Sequence, residues 1–114
     1  MSNENNLPTL AIRVAVSEQG GTYTAQYEPK QPYLSTPTVL TYTLITPGWE
    51  FGQVQFTTPL SDLETVSPTE FNITDNGGDH GTFSFAVKIV ESDPHRGQPA
   101  EIDTDPEVIN GPPT

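Results

Sequence analysis

Apolar and polar residues alternate along several short stretches of this chain, and the longest such stretch runs from Thr82 to Val90. Every second residue in it is large and apolar, namely Phe83, Phe85, Val87 and Ile89. Because successive side chains of a strand point to opposite faces, this pattern predicts a strand with one apolar and one mostly polar face. The other segments must then cover the apolar face.

Further alternating segments predict more strands. The first covers about Thr9 to Val16, and the Gly20-Gly21 turn leads from it to a second strand at 22–27, so the two form a predicted hairpin. The segment 38–46 has β-forming residues on both faces, which is typical of a central strand. The remaining predicted strands lie at about 50–57, 71–73 and 100–110.

Two segments bounded by prolines interrupt this series. Glu28 to Pro37 contains prolines 29, 32 and 37, which withhold backbone donors, so it is predicted to cross between sheets as an ordered connection. Pro59 to Pro68 is predicted to form at most one helical turn.

About seven short strands separated by turn signals, with no long helical stripe, predict an all-β protein. The favoured fold is an immunoglobulin-like antiparallel β-sandwich of about seven strands, with a small closed barrel as the alternative. The absence of cysteine excludes the antibody-type Cys-Trp-Cys arrangement. We expect a lead at 1–8, one domain at 9–111 and a tail at 112–114.

Composition narrows the classes of partner. Fifteen acidic residues against four basic ones give a net charge of -11, and four scattered cations form no patch for nucleic acid or an anionic membrane. Such acidity has two interpretations. The more general one is that it keeps the protein soluble, and the more specific one is that the protein binds a cationic partner. Without cysteine, a leader sequence or a long apolar run, the chain is predicted to be soluble and cytoplasmic.

No catalytic constellation is visible in the sequence. There is no cysteine and no serine in a Gly-x-Ser-x-Gly elbow, and only two histidines, His80 and His95, are present. His80 in a glycine-rich loop is a weak signal for a base or metal ligand. We therefore expect no enzymatic activity and no obligatory cofactor, and an acid–base hydrolase built on carboxylates is the least favoured hypothesis.

Two oxygen-rich groups are candidate Ca²⁺ ligands. Asp103, Asp105 and Glu107 fall at i, i+2 and i+4, so an extended segment would place all three carboxylates on one face. Asp75 and Asp79 belong to a second group in the glycine-rich loop. The competing interpretation of the acidic run is a charged edge strand that resists aggregation.

Aromatic residues offer one more candidate site. Trp49 and Tyr33, together with Tyr23 and Tyr27, are candidates for a platform that stacks on a sugar ring, although aromatic residues at strand starts more often belong to the core. The favoured function is a non-enzymatic interaction or structural module that binds a protein or self-associates through a sheet face or edge. The alternative is a calcium- or carbohydrate-binding module.

The closing run from Glu101 to Pro113, which contains Asp105-Pro106, resembles the C-terminal strand of the DP-EP family of small bacterial proteins. The glycine-rich turn followed by a phenylalanine-rich strand is similar too. The resemblance covers most of the chain and implies a bacterial source and an immunoglobulin-like β-sandwich. It implies no activity, cofactor or catalytic residue.

Overall fold

The computed structural model describes residues 7–57, 59–78, 80–92 and 98–112. This part of the chain is all-β, as predicted, but it forms eleven strands rather than seven. They are β1 (Thr9–Gln19), β2 (Thr22–Glu28), β3 (Tyr33–Leu34), β4 (Thr38–Leu44), β5 (Trp49–Gln55), β6 (Leu60–Ser67), β7 (Glu70–Asp75), β8 (Gly81–Ser84), β9 (Ala86–Glu91), β10 (Glu101–Thr104) and β11 (Glu107–Asn110).

The larger sheet has five strands in the order β2-β1-β4-β7-β6. Its strand β4 lies at the centre, as predicted from its two β-forming faces, and its residues alternate between buried and half-buried. β1 runs parallel to β4, while the other neighbours are antiparallel. The outer edges of this sheet are therefore β2 and β6.

The predicted β1–β2 hairpin is confirmed. Gly20 and Gly21 form its two-residue turn with φ values of 62° and 84°. Positive φ at both positions matches the turn whose twist suits adjoining strands, and glycine adopts it without a steric penalty. The pairing then continues without a register shift from Gln19↔Thr22 to Arg13↔Glu28.

Two three-stranded sheets, β10-β9-β5 and β3-β11-β8, continue one another. Thr104 lies opposite Val87 and Glu107 opposite Ser84, so the register is the same on both sides of the interruption. The Phe85 amide donates to the Pro106 carbonyl across it at 3.1 Å. Because proline has no amide hydrogen, the ladder breaks there, and the predicted strands at 82–90 and 100–110 are each divided in two.

The prediction of at most a helical turn between Pro59 and Pro68 is wrong, because this segment forms β6. Its pairing with β7 shifts register between Ser61 and Glu64, and Asp62 has φ of 55°. These irregularities are β-bulges, which interrupt the simple alternation of a strand. Sequence alternation therefore could not identify β6.

One continuous hydrophobic core joins the sheets. It contains Ile12, Leu40 and Ile73 from the five-stranded sheet and Ile89 and Val108 from the other two. The proline-containing connection predicted at 28–37 crosses from β2 to β3, which pairs with β11. Within the described residues, no helix is long and apolar enough to span a membrane.

Candidate functional site

A groove of about 1180 Å³ runs along the edge strand β2, and we call it the β2–β10 groove. One wall is formed by residues 23–28 with Lys30, and the other by residues 102–107. Arg13, Ala15 and Ile45 extend it onto the outer face of the five-stranded sheet. Polar, charged and apolar side chains therefore all reach the same open space.

The groove is open because strands are missing from its sides in the described part of the chain. β2 pairs only with β1, and β10 pairs only with β9. β11 continues the line of β10, so a longer β3 would also lie beside β10. Among the described residues, however, β3 is two residues long and pairs only with Ile109 and Asn110. The outer edges of β2 and β10 thus carry backbone groups without a neighbouring strand.

A hydrogen bond between side chains connects the two walls. Tyr27 and Thr104 share it at 2.7 Å between Oη and Oγ1, and Thr104 Oγ1 also donates to the Val87 carbonyl at 2.8 Å. Since a hydroxyl has only one hydrogen to donate, Tyr27 must be the donor to Thr104. The pKa of Tyr27 is raised to about 12, mainly by burial and to a smaller extent by the nearby Asp105 carboxylate.

The rim of the groove is mainly acidic. Lys88 Nζ lies 3.1 Å from Glu101 and 3.2 Å from Asp103, and hydrogen bonds to these carboxylates raise the pKa of the lysine. Arg13 and Glu28 form an exposed ion pair at 3.8 Å, a separation and exposure at which such pairs contribute little stability. Asp105 is exposed on the rim.

The first group of candidate calcium ligands lines this groove but does not converge. Alternate residues of a strand lie roughly 6.5 Å apart, whereas ligands of one Ca²⁺ lie within about 2.6 Å of the ion. Asp103 is paired with Lys88, and Glu107 accepts a hydrogen bond from Gln31. Among the described residues, no three acidic, histidine or cysteine side chains form a group able to hold a metal ion. Calcium binding stays a prediction.

The second group of candidate ligands lies elsewhere. Asp75 is fully buried at the end of β7 and accepts hydrogen bonds from the Gly77 amide and from Asn110 Nδ2, both at 2.8 Å. Asn110, which binds Asp75, lies three residues beyond Glu107 and seven beyond Asp103, or roughly 10 and 20 Å along the strand direction, so Asp75 does not join the three carboxylates around one ion. Asp79 lies outside the described residues.

The structure does not bring Trp49 and Tyr33 together as a platform. Trp49 lies opposite Glu91, whose amide donates to the Ala100 carbonyl, whereas Tyr33 lies opposite Ile109. Ala100 and Ile109 are nine residues apart along the same direction of the sheet, so the two aromatic residues lie roughly 30 Å apart. Trp49 is only 8 % exposed and packs edge-on against Tyr23, with ring centroids 5.0 Å apart.

Tyr33 has a structural contact of its own. Tyr33 is 49 % exposed, its hydroxyl donates to the Pro112 carbonyl at 2.8 Å, and the hydroxyl end of its ring lies close to Gly111. A Cβ at Gly111 would lie 2.2 Å from the Tyr33 hydroxyl, so only glycine permits this approach. Tyr33 thus secures the end of β11.

Sequence reasoning recognised the aromatic and acidic residues separately but missed the groove that Tyr27 shares with Asp103 and Asp105. The one signal in the sequence was the proline-containing connection after β2. A chain that crosses to another sheet adds no further strand beside the one it has just formed, so the outer edge of β2 stays unpaired by the segment that follows it. Asn110 was missed too, since a single polar residue in a strand carries no signal of burial.

No protein-family model and no curated protein matches this chain. Membership of the DP-EP family therefore stays a prediction.

Proposed function

We propose that the protein is a non-enzymatic interaction module that binds an extended segment of another protein along the β2–β10 groove. The observation that carries this proposal is that, among the described strands, none pairs with the outer edge of either strand bordering the groove. A free edge pairs with an extended peptide through main-chain hydrogen bonds, while side-chain contacts on the walls supply specificity.

The outer edge of β2 is the better of the two for pairing. It offers seven residues in regular register, whereas β10 offers four. The opposite edge of the same sheet, β6, is interrupted by bulges, which disfavour the addition of a further strand. An added segment therefore pairs with β2 and presents side chains to the wall formed by residues 102–107.

The walls favour a partner with alternating apolar and basic residues. Ala25, Tyr27 and Ile102 supply apolar contact area, and Asp103 and Asp105 lie on the rim. Successive side chains of an added strand point to opposite sides, so one set contacts the apolar wall while the other reaches the carboxylates. The net charge of -11 attracts a basic partner and accelerates its association.

Self-association through a sheet face is less well supported. Mostly small and polar residues cover the outer face of the five-stranded sheet, including Ala11, Ala15, Thr41, Thr43, Asn72 and Thr74, while Ile45 beside them is 52 % exposed. Such a face lacks the large apolar patch that a stable face-to-face contact requires. Two copies that each carry a charge of -11 also repel one another.

Backbone amide NMR with synthetic peptides tests the proposal. A short peptide of alternating lysine and valine is expected to shift amides at 22–28 and 101–107. The same peptide with N-methylated backbone amides keeps its charge but loses its hydrogen-bond donors, so we expect its binding to be lost. Equal binding of both peptides, or shifts confined to β6, would refute strand addition at β2.

Two matched variants test the acidic rim. Asp103→Asn combined with Asp105→Asn is expected to weaken lysine–valine peptide binding roughly two- to thirtyfold, because exposed charge pairs contribute about 0.2–1 kcal/mol each. Asp62→Asn combined with Glu64→Gln, on the distant edge β6, also removes two exposed charges and serves as the control. Added salt is expected to reduce the difference between the variants. If both variants bind alike, the rim does not select basic partners.

For the fold we propose the immunoglobulin-like sandwich, with the DP-EP family as the corresponding family. This is supported by the five-stranded sheet on one side of the core and by two smaller sheets of common register on the other. Such a fold hosts many binding functions and by itself selects none.

A further inference from the structure

The chain contains two Asn-Gly steps, Asn76-Gly77 and Asn110-Gly111, and the structure places them in opposite environments. An asparagine followed by glycine is chemically the most labile such step, because glycine has no side chain to hinder attack of its backbone nitrogen on the asparagine carboxamide. The two steps share Asp75, whose Oδ1 accepts hydrogen bonds from Gly77 N and from Asn110 Nδ2.

The surroundings of Asn76 favour attack by the Gly77 nitrogen on its carboxamide. Its side chain is exposed, and its Oδ1 accepts a 2.8 Å hydrogen bond from the Gly78 amide. This bond to the second following residue folds the carboxamide back over the intervening Gly77 peptide. The Gly77 N–H, whose hydrogen must leave, points at the Asp75 carboxylate at 2.8 Å. Gly77 follows the end of β7, outside the sheet ladder.

The surroundings of Asn110 hinder attack by the Gly111 nitrogen on its carboxamide. Its residue is only 2 % exposed, and its Nδ2 donates to Asp75 Oδ1, which holds the carboxamide away from its own backbone. The following amide, Gly111 N, donates to the Leu34 carbonyl at 2.9 Å. The Leu34 carbonyl, unlike the Asp75 carboxylate at Gly77, is not a base that could take up the amide hydrogen. Attack at Asn110 therefore requires the breaking of both hydrogen bonds inside the protein, and this needs local unfolding.

We propose that Asn76 is a site of spontaneous deamidation in the folded protein, and that folding protects Asn110 from the same reaction. The Gly77 nitrogen bonds to Asn76 Cγ, the Cγ–Nδ2 bond breaks, and ammonia leaves with the hydrogen released by Gly77. Water then opens the resulting five-membered imide at either carbonyl. Position 76 becomes aspartate or isoaspartate, and the net reaction consumes one water and releases one ammonia.

The modification changes the charge next to the inter-sheet contact. It adds a carboxylate directly after the buried Asp75, and the isoaspartate form also inserts an extra backbone carbon between positions 76 and 77. Both changes act on the loop whose Gly77 amide is bonded to Asp75. The expected result is a protein whose covalent state changes with age at one defined position.

Peptide mapping by mass spectrometry tests this inference, because trypsin cleavage after lysine and arginine separates the sites into peptides 31–88 and 97–114. The folded protein is incubated in mildly alkaline buffer, and a parallel sample is incubated in guanidinium chloride. In the folded sample we expect conversion at Asn76 to be at least about tenfold faster than at Asn110. In denaturant the two rates are expected to agree within about threefold, because the protection of Asn110 is lost.

Fragment spectra distinguish Asn76 from Asn72, which lies in the same peptide. The variant Asn76→Gln is the matched control, since a glutamine in this position forms the larger ring far more slowly and peptide 31–88 should then stay unmodified. Equal rates at Asn76 and Asn110 in the folded protein would overturn the inference. An unmodified Asn76 in the folded sample, with conversion in guanidinium chloride, would overturn it as well.

Discussion

Asn110 Nδ2 donates a 2.8 Å hydrogen bond to Asp75 Oδ1, and this contact joins the end of β11 to the end of β7. The partners are 35 residues apart in the sequence and are 2 % and 0 % exposed. A buried carboxylate is costly unless hydrogen bonds replace its hydration. The contact therefore offsets only part of the cost of burying Asp75, because Asp75 Oδ2 and Asn110 Oδ1 have no hydrogen-bond partner among the described residues.

The variant Asn110→Leu is expected to lower the free energy of unfolding by roughly 2–4 kcal/mol, because it leaves the buried Asp75 with one hydrogen bond fewer. Urea denaturation measures the loss. Asn72→Leu is the control, since Asn72 lies on β7 but on the half-buried outer face, where its bonds to Thr41 and Glu64 are accessible to water. Equal losses in both variants would contradict the special position of Asn110.

Alkaline pH is expected to destabilise the protein. The pKa of Tyr27 is raised from 10.0 to about 12 by burial, and burial also raises the pKa of Tyr42. A group whose pKa is raised by folding stabilises the protein below its unfolded pKa, and that contribution is lost as pH rises toward its folded pKa. The free energy of unfolding should therefore fall above about pH 10. Each of the two tyrosines contributes a decrease of up to about 1.4 kcal/mol for every pH unit.

Urea denaturation at a series of pH values, with tyrosinate absorbance as a second signal, checks this dependence. Tyr27→Phe removes one of the titrating groups and should flatten the decline, and at neutral pH it should cost about 1 kcal/mol for the lost bond to Thr104. A decline that is as steep in this variant as in the parent protein would show that Tyr27 does not contribute.

Two leucines of β6 test its strand geometry. Leu60 is 3 % exposed and belongs to the core, whereas Leu63 is 36 % exposed. Leu60→Ala should therefore cost about 2–4 kcal/mol, and Leu63→Ala less than about 0.5 kcal/mol. A helical turn would place both leucines on the same face, so similar losses in the two variants, measured by thermal unfolding, would favour a turn over the strand.

Local alternation was sufficient to predict the regular parts of this fold. It located the β1–β2 hairpin, whose turn chemistry is specified by two adjacent glycines, and the central strand β4, whose two faces are both β-forming. It failed at β6, where bulges and the positive φ of Asp62 disturb the period. It also overlooked the division of the last strand, although Pro106 was available as a signal.

The site was harder to predict than the fold, because it depends on which edges remain unpaired. The acidic run at 103–107 was recognised as a charged segment; Asp103 lies on the edge strand β10, whereas Glu107 begins β11, which lies between β3 and β8. That Tyr27 faces it cannot be read from spacing, since residues 27 and 104 are 77 positions apart. The burial of Asp75 likewise depends on a distant partner.

The short β3 strand has a consequence for the order of folding. Its neighbourhood joins residues far apart in the chain, as shown by the contact between Gln31 and Glu107, which are 76 positions apart. Closing so long a loop costs entropy, and β3 compensates for it with two residue pairs to β11 and a few side-chain contacts. We therefore expect β3 to dock after the hairpin and the central strands have formed. Its attachment should also open first, so amide hydrogen exchange at Gly111 should be faster than exchange in β4.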